Sequence, residues 1–176
     1  MDFARVVKAR RMCRGYLERD VTDDQIERII ELASRFPSAG HTQPQEFIVV
    51  RDQTVKDQLA KAALDQMFIA QAPVVIVVVS DTRRSAQRYG RRGVDFYSIL
   101  DGGFASMLVL LSAVDDGLGA AFVAAFDDDA VAEVLGLPRK VRPIGIIPIG
   151  YCAEPSGKYR RRPRAEIVHA ERWTRS

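Results

Sequence analysis

Apolar residues return every three or four positions after residue 22, where Ile26, Ile29, Ile30 and Ala33 share one side of a helix. Its start is marked chemically. Thr22 is suited to cap it, Asp23 and Asp24 suit the positive end, and Gln25 stands at the reciprocal position of a capping box. The pattern stops at Pro37. Upstream, residues 1–11 predict a short helix with Phe3, Val6 and Val7 on its apolar face. PSAGHTQPQ (37–45) is rich in turn formers and reads as a loop. FIVVRD (47–52) predicts a strand and residues 54–64 a helix. VVIVVVS (74–80) does not alternate, and such a β-branched run predicts a central strand buried on both faces. Residues 81–93 are basic and polar and read as a connection.

Residues 94–114 form the longest apolar helix candidate, with Gly102, Gly103, Ala105 and Ser106 allowing another element to come close. A helix apolar nearly all round must be buried on most sides, in the core or against a second subunit. Gly117 and Gly119 end it. Residues 120–126 predict a short strand, Asp127 caps a helix over 129–135, and IGIIPIGY (144–151) predicts another strand. The tail from Pro155 onward is basic and carries little core of its own. Several helices precede the first buried strand, which indicates a layered α+β domain rather than a strict βαβ winding. No repeat or linker divides the chain, so residues 1–176 read as a single domain.

Composition narrows the function. The 47% hydrophobic and 28% charged fractions are ordinary for a globular chain of 176 residues, and the net charge of +3 is mild. Its make-up is not, since 21 arginines stand against 5 lysines, clustered at 10–14, 83–92 and 160–164. Those clusters have no interleaved aromatics and no reading helix, which argues against nucleic acid. His41, His169, Cys13 and Cys152 lack metal-ligand spacing, so no metal is expected. The two cysteines make no disulfide framework, the N-terminus has no apolar signal core, and the longest apolar run (73–79) is too short to cross a bilayer. A cytoplasmic protein is the expectation. Cys13, flanked by Arg11 and Arg14, has neighbours that would lower a thiol pKa, though a small buried residue is the simpler reading. No GxGxxG follows a strand and no GxxxxGK[ST] occurs. What remains is RRMCRGY (10–16), the small-residue loop 37–45 and KYRRRPR (158–164). Two arginine clusters can clamp one phosphate bidentately, and a small-residue loop lets a planar ring approach the backbone. That combination suits a phosphorylated, planar cofactor.

Here the chain resembles the nitroreductase family of FMN-dependent oxidoreductases. The family's RRS-x-R-x-F/Y opening is matched by Arg10, Arg11, Met12, Cys13, Arg14, Gly15 and Tyr16, and its PSAGN-x-QPW-x-F motif by residues 37–47. QMFIAQAPVVIVV, DGGFASMLVLLSAVDDGLG, FVAAFDDDAVAEVLGLP, IPIGY and RRRPRAEIVHAERW follow in the family's order. The resemblance implies an α+β, nitroreductase-like layered fold, with a central mixed or antiparallel sheet flanked by helices in an intertwined homodimer. Two FMN sites would lie at the interface, and the tail (about 153–176) would embrace the partner subunit.

By the same resemblance, Arg10 and Arg11 meet the FMN phosphate and ribityl, and Met12 contacts the cofactor through its backbone. Arg14 lies near the N1–C2=O edge, where a cation stabilises the reduced flavin. Pro37, Ser38, Ala39 and His41 line the cofactor, Ser38 and Ala39 from the partner subunit. Gln66 bonds the pyrimidine edge, the amides of Ala124 and Ala125 sit beside N5, and Arg161 with Arg162 completes the phosphate clamp. The implied activity is NAD(P)H-driven, ping-pong reduction of nitroaromatics, quinones or related small molecules. No side chain acts as a catalytic acid or base, because the flavin carries the chemistry. A specialised FMN-dependent dehydrogenase or oxidase, or a flavin-binding protein without turnover, are the alternatives. This chain departs from the family pattern at Met12 (serine), His41 (asparagine), Gln45 (tryptophan), Ala124 (glycine) and Cys152 (proline). His41 and Gln45 are expected to reshape the substrate face. The basic stretch 82–93 reads either as a solvated loop or as a holder for an acidic donor such as NADPH.

Overall fold

The computed structural model describes residues 2–153 and 160–173. Its centre is β2 (Val74–Asp81), in which every residue is buried. Antiparallel neighbours flank it: β1 (Gln45–Val50), with Gln45 opposite Ser80, and β4 (Val141–Gly150), with Val74 opposite Ile149. A two-residue edge strand, β3 (Gly119–Ala120), completes the order β1-β2-β4-β3. Among the described residues every pairing between these strands is antiparallel, and the one parallel contact is the isolated bridge of Met12 to Ala120.

Burial of β2 on both faces follows from layers on both sides. Val74, Ile76 and Val78 point into a core shared with α2 (Asp23–Ala33) and α6 (Ser98–Asp115), through Ile26, Ile29, Val109 and Ala113 among others. Val75, Val77 and Val79 point the other way, against Leu59 of α3 (Gln53–Ala62), Ile69 of α4 (Phe68–Gln71) and Val131 of α7 (Asp128–Val134). The period-two alternation of a strand thus feeds two hydrophobic cores. α6 can lie close to β4 because Gly102 has no side chain: a Cβ there would meet Ile144 Cγ2 at 2.6 Å.

Several expectations hold in detail. Thr22 accepts from the Gln25 amide while Gln25 reaches back to the Thr22 N–H, closing the capping box. Asp127 caps α7 through the Ala130 N–H. α1 (Phe3–Ala9) forms, but only Val6 of its apolar face is buried, while Phe3 and Val7 are exposed.

Others need correction. Residues 82–92 are not a connection but a helix, α5 (Thr82–Arg92), capped by Asp81 and running through a π-turn (Gly93–Tyr97) into α6. The whole run Thr82–Asp115 is long and apolar enough to cross a membrane by length and composition, yet half of its apolar window is buried inside this chain, as in a core helix. The strand expected over 120–126 shrinks to β3, with Val123 making an isolated bridge to Ile146 before the chain leaves the sheet. Cys13 is bonded to Cys152 and is almost wholly buried, which ends its reading as a nucleophile.

The capping box gives a stability prediction. Thr22→Ala should cost about 1 kcal/mol and lower the thermal midpoint by about 2–4 °C, whereas Thr22→Ser should leave it nearly unchanged. Calorimetry on the two variants checks this.

Candidate functional site

The residues expected at the cofactor fall into three groups. The first is built on the sheet edge. Leaving α1, the chain runs alongside β3: Met12 bridges Ala120, and the Cys13 N–H donates to the Ala120 carbonyl at 3.0 Å. Tyr16 bridges Cys152, and its hydroxyl lies 2.8 Å from the Cys13 carbonyl and 3.1 Å from that of Pro148. Burial pushes the Tyr16 phenol well above its ordinary pKa, so it stays a neutral donor. Residues 12–16 are therefore held beside Ala120 and the end of β4.

Within this group, Arg11 donates to the carbonyls of Lys8 and Arg10, folding back on the end of α1. The Nη1 atom of Arg10 is buried and, among the described residues, has no hydrogen-bond partner. A buried cationic donor without an acceptor is costly, so an anionic ligand placed there would be favoured. Arg14 is exposed, with its guanidinium 5.7 Å from the centre of the Phe68 ring. Gln66 Nε2 donates to the carbonyls of Ala63 and Ala125 and so ties the turn before α4 to residues 124–125. Ala124 and Ala125 are exposed, and among the described residues nothing accepts from their backbone N–H groups. The Met12 sulfur accepts from the Phe122 N–H at 3.4 Å, so the side chain is engaged inside the chain.

The second group is the loop after α2. Pro37 is exposed, Ser38 and Ala39 are half-buried, and a single 3-10 turn (Ala39–His41) follows. Gly40 and His41 both have positive φ, 55° and 57°. Gly40 also lets Tyr89 and Arg88 approach closely, since a Cβ there would lie 2.5 Å from Tyr89 Oη and 2.6 Å from Arg88 Cδ and would displace those side-chain ends. Three contacts fix the loop. The Ala39 N–H donates to both carboxylate oxygens of Asp101 (3.2 and 3.1 Å), Arg84 Nε donates to the Thr42 carbonyl (2.9 Å), and Arg88 Nη1 donates to the Gly40 carbonyl (3.1 Å). Gln45 does not face this surface: it is buried and donates from Nε2 to the Ser98 carbonyl, joining β1 to α6. The expected effect of Gln45 on the substrate face is thereby withdrawn. His41 is exposed there.

The third group lies in the tail. Arg162 is paired with Glu166 (3.2 Å) and also donates to its carbonyl. Arg161 is exposed. Among the described residues, the bonds of Arg162 are confined to Glu166.

Sequence reasoning missed Asp101, and it singled out Arg84 and Arg88 only as part of the basic stretch 82–93. A lone carboxylate inside an otherwise apolar helix was the available signal for Asp101, which is 1% exposed. Its carboxyl is raised above the ordinary range by burial, partly offset by the Ala39 hydrogen bond.

Comparison with known proteins decides what this arrangement belongs to. The model of the nitroreductase family matches residues 7–71 and 66–151. The chain belongs to the nitroreductase family. An NADH dehydrogenase of Thermus thermophilus is 30% identical, over 90% of this chain and 91% of the relative. An FMN reductase [NAD(P)H] of Bacillus subtilis is 30% identical, over 92% of this chain and 70% of the relative. A solved nitroreductase family protein from Streptococcus pneumoniae is 27% identical and superposes with a TM-score of 0.88, covering 97% of this chain and all of that one (100%).

For this nitroreductase-family chain, Asp101 sets a pH prediction. A carboxyl whose folded pKa is raised binds its proton more tightly when folded, so its contribution to stability is full below the unfolded value, about 4, and is lost as pH rises through the higher folded value. Asp101→Asn keeps an oxygen to accept from Ala39 and removes the titration. Denaturant midpoints of the variant should therefore fall less than those of the wild type as pH rises above about 4, and Asp101→Ala should be less stable than Asp101→Asn throughout.

Proposed function

We propose that this chain works as a homodimer with two FMN sites between its subunits, reducing nitroaromatic, quinone or related small-molecule acceptors by a ping-pong mechanism in the cytoplasm. Its class is an FMN-dependent NAD(P)H oxidoreductase, as family membership and the FMN reductase among its relatives support. The observation that carries the site assignment is the buried, unpartnered Nη1 of Arg10, which sits in the same group as Arg11, Arg14, Gln66, Ala124 and Ala125. When bound, FMN would supply the hydride and electron transfer between the nicotinamide donor and the acceptor.

The chain's own residues bind and orient. Arg10 holds the phosphate, with Arg11 beside it; Arg161 and Arg162 provide the second jaw from the tail. Gln66, with its amide N–H groups committed to two carbonyls, keeps Oε1 to accept from an N–H on a planar ring edge. The amides of Ala124 and Ala125 are donors toward the ring, and Arg14 places positive charge at the rim. Met12 contributes through its backbone, since its sulfur is engaged with Phe122. Pro37, Ser38, Ala39 and His41 belong to the wall supplied by the other subunit, fixed by Asp101, Arg84 and Arg88.

Two surfaces support a dimer. Phe96, Leu100, Phe104 and Met107 form a stripe at helical spacing, each at least 40% exposed in a single chain. In the tail, Ile167, Val168 and Trp173 are likewise exposed. Apolar surface of this extent on a soluble chain marks a contact.

The purified protein should be yellow, with a flavin spectrum and FMN released on denaturation. Arg10→Ala should raise the Kd for FMN by about 10- to 100-fold, the equivalent of one charge-assisted contact to phosphate. A colourless protein that takes up no added FMN contradicts the cofactor assignment, and an unchanged Kd removes Arg10 from it.

A further inference from the structure

Of the five arginines in α5, three are occupied within the chain. Arg83 is paired bidentately with Asp81, Arg91 with Asp95, and Arg92 bonds Tyr97 and lies over the Phe96 ring. Arg84 and Arg88 differ. They stand one turn apart on the same helix face, and among the described residues neither is in ion-pair contact with a carboxylate. Each uses one N–H on a loop carbonyl, which fixes its guanidinium and leaves the rest of its donor fork open. Between them and the loop lies an open cleft of about 620 Å³, lined by Gly40, His41, Thr42, Arg84, Gln87 and Arg88. That volume is within the range of small-molecule sites. All six lining groups are polar or backbone, so the cleft suits a charged, hydrogen-bonding ligand rather than an apolar one.

We infer that this cleft binds the 2′-phosphate of the dinucleotide donor and so makes the enzyme prefer NADPH to NADH. This rests on the oxidoreductase reading above, and deepens it by naming the donor. The cleft begins at Gly40, directly after Ser38 and Ala39 of the proposed cofactor wall. A dinucleotide whose nicotinamide meets the flavin must lay its adenosine end on surface close to that wall. A phosphate monoester carries close to two negative charges at neutral pH and three acceptor oxygens. Two guanidiniums, each fixed on a loop carbonyl and neither in ion-pair contact among the described residues, match that charge, with the Gln87 amide as a further donor. A pyrophosphate, common to both donors, offers one charge on each phosphate and would give no preference.

The test compares adenosine 2′,5′-bisphosphate with adenosine 5′-monophosphate by calorimetry on the FMN-loaded protein. It also compares kcat/KM for NADPH and NADH, in wild type, Arg84→Ala/Arg88→Ala and Arg84→Lys/Arg88→Lys. The bisphosphate should bind wild type at least about tenfold more tightly, and the alanine pair should erase that difference. The ratio of kcat/KM for NADPH over NADH should fall by a similar factor, with the lysine pair in between. Equal affinity of wild type for the two nucleotides overturns the proposal. So does a parallel loss of both donors in the alanine pair, which marks loop support or pyrophosphate contact instead. If the protein takes up no FMN, the oxidoreductase reading fails, and the nucleotide titration on the same protein still decides the cleft.

Discussion

Burial of β2 on both faces is the constraint from which the rest of this structure follows. An unbroken run of Val with one Ile, covered on one side only, would leave half of its side chains in water; here Val74, Ile76 and Val78 face one core while Val75, Val77 and Val79 face another. Two helical layers are therefore obligatory. The layer that includes α6 needs a helix apolar on more than one side, because it must meet the sheet and α2 together. Within one chain, α6 satisfies only part of that apolar surface and leaves Phe96, Leu100, Phe104 and Met107 outward. The proposed dimer is the completion of this packing.

The same geometry separates the pieces of the candidate site. Residues 10–16 are stitched to the edge formed by β3 and the end of β4, whereas the loop 37–42 is anchored to α5 and α6. Disulfide bonding of Cys13 to Cys152 adds a covalent tie where the first arginine group meets β4. Each group is rigid in its own place, which is how a site keeps charged side chains aimed before a ligand arrives. A two-subunit flavin site fits this layout: one chain presents Arg10 and the open amides near Ala124, and the other presents Ser38 and Ala39.

How much of this the sequence disclosed depends on whether a feature was local. The capping box at Thr22 and the buried run of β2 are written in adjacent residues, and both appear as expected. α5 was hidden because its sequence, TRRSAQRYGRR, has almost no apolar stripe and carries Gly90 with positive φ near its end. Its start is fixed instead by a partner distant in sequence, since the Thr82 N–H and hydroxyl both donate to the Lys140 carbonyl; at its end Gly93 packs directly against the Ser85 backbone. Gln45 shows the same limit. Its place in a loop motif suggested a substrate-facing side chain, but the strand begins at that residue and turns it inward toward Ser98. The roles of Arg10 and Arg11 came from family resemblance, and the unpartnered Nη1 of Arg10 is an independent structural reason to place an anion there.

The central claim, that the flavin site exists only where two chains meet, is tested most directly by native mass spectrometry of the FMN-loaded protein across a dilution series. The account requires FMN on dimers alone, two per dimer, with flavin lost as dimers dissociate. A monomer that retains FMN would contradict it.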